Sequence, residues 1–280
     1  MFVRITSASL LVMIAASVAA CGGGTQDEAP QTGGEQAGPA AQVENAGRVN
    51  GMVNFAGTPP ANAAIDMSEE ATCAQKHSDP PTAETVIANN GKLQNVFVYV
   101  KEGLSGSFSP PSQAVEIDQD GCVYMPHVTG VMTGQQLVFR NSDGILHNIK
   151  ATPSEQPGFN ISQPNNMTST RTLRAQEVMV PVQCDVHGWM EAYVGVVDHP
   201  YFAVSGEDGS FTIENLPPGT YTVEAWHEKY GTQTQQVTVG ANETVDLAFD
   251  YNASMANAVV PMGRPIDPHG SHAPARAGGE

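Results

Sequence analysis

Cys184-Asp185-Val186-His187-Gly188-Trp189-Met190 places a thiol, an imidazole and a thioether within seven residues. Soft sulfur donors beside an imidazole suit copper. Two histidines and one cysteine in a trigonal arrangement, with a weak axial methionine, make a one-electron copper centre. One ligand must come from elsewhere so that the ion is held from two sides, and His147, followed by Asn148, is the candidate. The two residues between Cys184 and His187 let a tight loop turn both side chains toward one point. Met190 then opens the next strand and offers its sulfur along the axis. The cysteine has to be a thiolate, and a bound metal itself lowers the thiol pKa.

Strands must position such a loop, and the chain reads as strands. Val96-Phe-Val-Tyr-Val100, Gln136-Leu-Val-Phe-Arg140, Val178-Met-Val-Pro-Val182 and Ala192-Tyr-Val-Gly-Val-Val197 are short runs rich in β-branched and aromatic residues, separated by turn residues. No stretch after the leader keeps a helical period for three turns. The expected class is all-β, a sandwich or barrel. Beyond Asp198-His199-Pro200 the texture becomes a meander. Phe211-Thr-Ile213, Thr220 to Trp226, Gln236 to Val239 and Val245 to Phe249 are its strands, with turns at Gly206-Glu-Asp-Gly209 and Leu216-Pro-Pro-Gly219.

Two resemblances follow from these residues. Tyr124-x-Pro126, Gly134 to Asp143 and His147-Asn148, together with Cys184-x2-His187-x2-Met190, resemble the ligand pattern of the cupredoxins, most nearly amicyanin in the short spacing to methionine. The resemblance implies a Greek-key sandwich holding one copper ion through His147, Cys184, His187 and Met190. It also implies a supporting hydrogen bond from Asn148 across to the cysteine loop. His187 is the ligand expected nearest solvent and so the electron port. Asn215-Leu-Pro-Pro-Gly-Thr-Tyr-Thr-Val223 resembles transthyretin-like or carboxypeptidase-regulatory-like modules, which are smaller sandwiches. Gly47 to Gly57 resembles the first strand of that module, and Val96 to Val100 could be its second. The copper-type segment, roughly 113–198, is then an insertion. The simpler division is two consecutive domains, 47–198 and 199–251.

The ends read differently. Arg4, an apolar run from Leu10 to Ala16, and Val18-Ala-Ala-Cys21 form a secretory leader, residues 1–20. Cysteine after Val-Ala-Ala resembles a bacterial lipobox, which makes Cys21 a lipidation site. Gly22 after it favours the outer membrane. Residues 21–46 and 252–280 carry too few large apolar side chains to offset chain entropy and are expected to be a tether and a disordered tail. No run after the leader is long enough to span a bilayer as a helix, so the expected anchor is lipid alone.

Cys73 and Cys122 remain, and an oxidising envelope favours a disulfide between them. The rival is a zinc site of Cys73, His77, Cys122 and His127. His127, His199 and His227 are read as structural, and His269 and His272 as tail residues. The net charge of −17, from 29 acids and 12 bases, argues against nucleic acid and permits steering toward a basic redox partner. Neither Gln183 nor Asp185, the neighbours of Cys184, is the histidine that a multicopper enzyme needs, and no His-x-His pair lies in the folded part. The reading is therefore a monomeric, envelope-anchored electron carrier rather than an enzyme. The alternatives are copper delivery or storage and a structural envelope-binding role. Met52, Met67 and Met125 are too scattered for a transport motif.

Overall fold

Runs that alternate in period two, or are apolar throughout, become strands along nearly the whole chain. The computed structural model describes residues 43–257. The leader, Cys21, most of the tether and the greater part of the tail, with His269 and His272, lie outside the described residues. First come β1 (Gly47–Ala56), α1 (Ala71–Ala74), β2 (Ala88–Asn89), β3 (Lys92–Leu93) and β4 (Phe97–Glu102). The metal motif is carried by β5 (Val115–Asp120), β6 (Val123–Met125), β7 (Val128–Met132), β8 (Gln136–Asn141), β9 (His147–Ala151), β10 (Phe159–Gln163), β11 (Thr168–Thr172), β12 (Glu177–Gln183) and β13 (Glu191–Val197). Then follow β14 (Phe202–Val204), β15 (Ser210–Leu216), β16 (Gly219–His227), β17 (Gly231–Val239) and β18 (Thr244–Asn252). The all-β expectation holds. A 3-10 turn at Ala253–Asn257 packs Met255 and Ala256 on the core, so the described chain stays folded past the expected tail boundary at 252.

Four sheets form. They are β11-β8-β5-β6, β10-β9-β12-β13-β7, β14-β4-β16-β17, and a fifth-strand-augmented β15-β1-β3-β2 in which β18 also pairs with β1. Three buried clusters join them in sequence. Ile117, Leu137, Phe139, Ile149, Val182 and Val194 lie between the first two sheets. Phe97, Tyr99, Val128, Met132, Val197 and Phe202 lie between the second and third. Val49, Val98, Val100, Ile213, Val223 and Phe249 lie between the third and fourth. The result is two sandwiches stacked face to face.

The strand pairing does not follow the consecutive division at 198/199. β1 runs parallel to β18 from Arg48↔Thr244 to Ala56↔Asn252 and antiparallel to β15. β4 lies between β14 and β16. The early strands therefore complete the C-terminal sandwich, and β5–β13 sit between its parts in the chain. β4 shows why its sequence reads as an unbroken apolar run. Phe97 and Tyr99 face one core while Val98 and Val100 face the other, so neither face meets water.

Where the sandwiches meet, side chains are removed to let rings in. Gly130 on β7 pairs directly with Gly195 on β13. A Cβ on Gly195 would stand 2.6 Å from Phe97 Cζ, and one on Gly130 would stand 2.5 Å from Phe202 Cε2. Glycine is needed at both for close approach.

A charged pair also spans this junction. His127, just before β7, is buried and bonds Glu228 Oε1 through Nε2 at 2.6 Å and the Glu191 carbonyl oxygen through Nδ1 at 3.1 Å. With Glu228 ionised, both partners are acceptors, and only a doubly protonated ring then satisfies both. Burial works against that charge, but Glu228, with Glu84 and Glu191, outweighs it and raises the His127 pKa above 6.5. Burial also holds Glu228 above its usual carboxyl value of 4.5. A raised histidine pKa contributes stability below the unfolded value, and that stability is lost as pH rises through the folded value. The melting-temperature gap between wild type and His127→Gln should therefore be widest below about pH 6.5, down to where Glu228 takes its proton, and should close as the medium turns alkaline. A gap independent of pH would mean that the ring is neutral. His227 and His199 are neutral core residues. Burial pushes His227 down to about 3 and lowers His199, and each accepts a backbone N–H two residues on.

Candidate metal centre

The site forms at one end of the first sandwich, where β9 begins and β12 gives way to the loop before β13. Asn141 ends β8 and shapes the approach. Its Nδ2 donates to the Ile145 and Gln163 carbonyl oxygens, and its Oδ1 accepts the Asp143 N–H. That turn delivers His147 as the first residue of β9. On the other side the Cys184 N–H donates to the Met190 carbonyl oxygen, and the Met190 N–H donates to the His187 carbonyl oxygen. The loop is thereby closed on itself by its own backbone, which is why the short Cys-x2-His-x2-Met spacing suffices.

Of the four expected ligands, three converge. A nitrogen of His147, the Cys184 sulfur and a nitrogen of His187 all lie within 4.8 Å of one another. The Nδ1 atoms of the two histidines stand 2.9 Å apart, and Cys184 Sγ is 3.9 Å from His187 Nδ1. All three residues are buried, and Cys184 is the free cysteine among the described residues. Met190 is buried in the core of the first sandwich, held by the two backbone bonds above. The converging set itself is His, Cys, His.

The thiol is prepared for deprotonation. Burial alone would raise its pKa, but hydrogen bonding to His147 and His187 and backbone N–H groups of Asn148 and His187 bring it down to about 6. Asn148 ties the two sides together. Its N–H reaches Cys184 Sγ at 3.5 Å, its Oδ1 accepts the Asp185 N–H, and its Nδ2 donates to Asn160 Oδ1 and Asp185 Oδ2. Tyr124 adds a second tie, its hydroxyl donating to the carbonyl oxygens of Asn148 and Gln183. These are the supports that keep ligand side chains in place.

Cys73 and Cys122 form a disulfide with Cα atoms 5.6 Å apart. The rival zinc set does not assemble. His77 Nε2 bonds the Gly121 carbonyl oxygen at 2.7 Å, and His127 is engaged by Glu228. A second cluster, Cys122, Asp143 and His147, is close enough for an ion, but its sulfur is already spent in the disulfide.

The disulfide side of the chain also covers the expected electron port, although His187, level with Cys184, is more exposed than Met190 at 1% or His147 at 0%. His187 is only 3% exposed. Its Nε2 lies 3.8 Å from Cys73 Sγ and 3.9 Å from Glu70 Oε2, and its ring is tilted against Trp189 at 5.1 Å. The stretch from Met67 to His77, which includes α1, folds over the imidazole. Met67 packs into the core and Cys73 is bonded to Cys122. Leu146 and Val186, the neighbours of two ligands, are exposed apolar side chains.

The site also brings in two residues to which the sequence alone assigns no role, Asp143 and Lys76. Asp143 Oδ2 lies 2.8 Å from His147 Nε2, and Lys76 Nζ is 3.0 Å from Oδ1. An acid four residues before a candidate ligand was the available signal for the first. Nothing local signals the second.

Residues 191–252 match the carboxypeptidase regulatory-like domain. The match begins in β13, which pairs within the first sandwich, and omits β1 and β4, which complete the second. Among solved structures, a novel purple cupredoxin from Nitrosopumilus maritimus is 17% identical, with a TM-score of 0.26 over 29% of this chain and 97% of that one. A mutant of amicyanin in its oxidised state is 16% identical, at 0.28 over 30% and 81%. A copper-containing nitrite reductase from Thermus scotoductus is 16% identical, at 0.29 over 41% and 26%. No curated protein matches the chain. With TM-scores this low, these likenesses carry no argument about chemistry. The chain thus carries a carboxypeptidase-regulatory-like match over residues 191–252 beside a further β-sandwich, and that sandwich holds the converging His, Cys, His set.

Proposed function

We propose that this chain is a copper-binding protein of the bacterial envelope, lipid-anchored through Cys21, that holds a single ion at His147, Cys184 and His187, with Met190 as a weak fourth donor. One observation carries the reading. A buried free thiol and two imidazole nitrogens converge in a protein whose other described cysteines are paired. The donor chemistry fits. A thiolate with two imidazoles suits copper, whereas structural zinc takes four strong ligands, and a thioether is not one of them.

Bound there, copper supplies a one-electron couple. The covered edge of His187 favours holding or handing on the ion over electron exchange through that imidazole. Electron relay is the second reading, supported by the ties from Asn148 and Tyr124, which limit ligand movement. No partner is implied beyond a redox or copper-accepting protein. Titrating the purified, metal-free full chain with copper(II) tests the assignment. The expected result is one equivalent bound with an intense thiolate-to-copper band in the visible. Binding without that band removes the thiolate from the site. A reversible couple at an electrode separates relay from storage.

A further inference from the structure

His147 can meet an ion through only one ring nitrogen, and something must choose which. Its Nδ1 faces His187, while its Nε2 faces Asp143 at 2.8 Å. The Asp143 side chain is fully buried. Its oxygens face donors: Gly121 N at 2.7 Å and Lys76 Nζ at 3.0 Å on Oδ1, and Cys122 N and His147 Nε2, each at 2.8 Å, on Oδ2. A carboxylate so surrounded accepts and does not donate, so the His147 proton must sit on Nε2. With the proton on Nδ1 instead, two lone pairs would face each other at 2.8 Å and the nitrogen aimed at the site would be blocked.

Two of the four donors come from the turn that holds Cys122, and a third, Lys76, from the stretch fastened by Cys73. The carboxylate is thus positioned by both ends of the disulfide. It lies on the opposite side of His147 from the ligand atoms.

We propose that Asp143 is the positioning residue that makes Nδ1 of His147 the metal-binding atom, and that Lys76 and the backbone around the disulfide hold it there. This rests on the metal-centre reading above. A histidine ligand whose remote N–H is held by a carboxylate has its tautomer, orientation and basicity set by it, and removing such support costs ~10–100-fold in metal affinity.

The first test needs no variant and no metal. Long-range proton–nitrogen NMR of the metal-free chain, above the pH at which the ring is neutral, reads the tautomer directly. A proton on Nε2 supports the proposal, and a proton on Nδ1 overturns it. Asp143→Asn and Lys76→Gln then test the consequence. Asp143→Asn should weaken copper(II) and zinc(II) binding by ~10–100-fold and shift the visible band and the reduction potential, the latter upward because a negative charge near the ion is lost. Lys76→Gln should move the same readouts by less. Wild-type affinity and an unmoved band in a folded Asp143→Asn protein overturn the proposal. If Cys184→Ser abolishes the site while Asp143→Asn does not disturb it, only this inference falls. If the wild type takes up no copper, the metal assignment falls, and the tautomer measurement still judges Asp143.

Discussion

Cys184→Ser should abolish the visible band expected of the copper-loaded protein and weaken copper(II) binding by well over the ~100-fold upper bound for losing a supporting residue. The reason is chemical and geometric. The serine hydroxyl does not ionise near neutrality, whereas the thiol at this position is brought down to about 6 by the imidazoles and N–H groups around it. Its sulfur is also the meeting point of the two sides of the site, receiving the Asn148 N–H from β9 and the His187 N–H from its own loop. The replacement is nearly isosteric, so circular dichroism and melting temperature should change little. That separates ligand loss from unfolding. A Cys184→Ser protein that keeps the band and its affinity would place the ion elsewhere.

Removing the disulfide with Cys73→Ala and Cys122→Ala has the largest expected effect on stability, and a second effect at the metal. The bridge spans 49 residues of sequence. In the chain-entropy model a loop of that length contributes about 4 kcal/mol. For a folded region of this size that lowers the melting temperature by roughly 8–16 °C. The loop closed by the bridge includes β2, β3 and β4, so the crosslink ties the second sandwich's early strands to the turn beside Asp143. Without it, the stretch from Met67 to His77 keeps Met67, Glu70, Lys76 and His77 as anchors, and the cover over His187 loosens. Copper should then pass to a competing chelator several-fold faster than from wild type, measured below the melting range of both proteins. Equal rates would show that this stretch is no barrier. An unchanged melting temperature would show that the bridge adds nothing beyond the packing of Met67 and Tyr124.

Much of the site was legible because its logic is local. Cys184, His187 and Met190 fall in one loop whose backbone hydrogen bonds close over a few residues. His147-Asn148 stood out as a pair at a strand start, and the strand register carries the side chain of Asn148 back to that loop. The disulfide followed from counting, since two cysteines were left over and an oxidising envelope was the expected setting. The zinc alternative failed because His77 and His127 each found a closer acceptor.

Other features depend on partners far away in the chain. The run at 96–100 declares a buried strand but not which sheet buries it, because a strand apolar on both faces satisfies either neighbour. Gly130 and Gly195 are ordinary strand glycines until Phe97 and Phe202 are laid on them. His187 was expected to be the ligand nearest solvent because Gly188 and Trp189 follow it, and a segment more than a hundred residues earlier covers it.

The order of residues by itself determined that this chain is built of strands and that a thiol, two imidazoles and a thioether are available as donors, because periodicity and loop spacing act over a few residues. Only the tertiary structure decided which early strands finish the second sandwich, what shields His187 and which nitrogen of His147 faces inward. Those outcomes are set by contacts between segments that no local pattern encodes, where burial makes each unpaired donor or acceptor costly and so forces a particular partner.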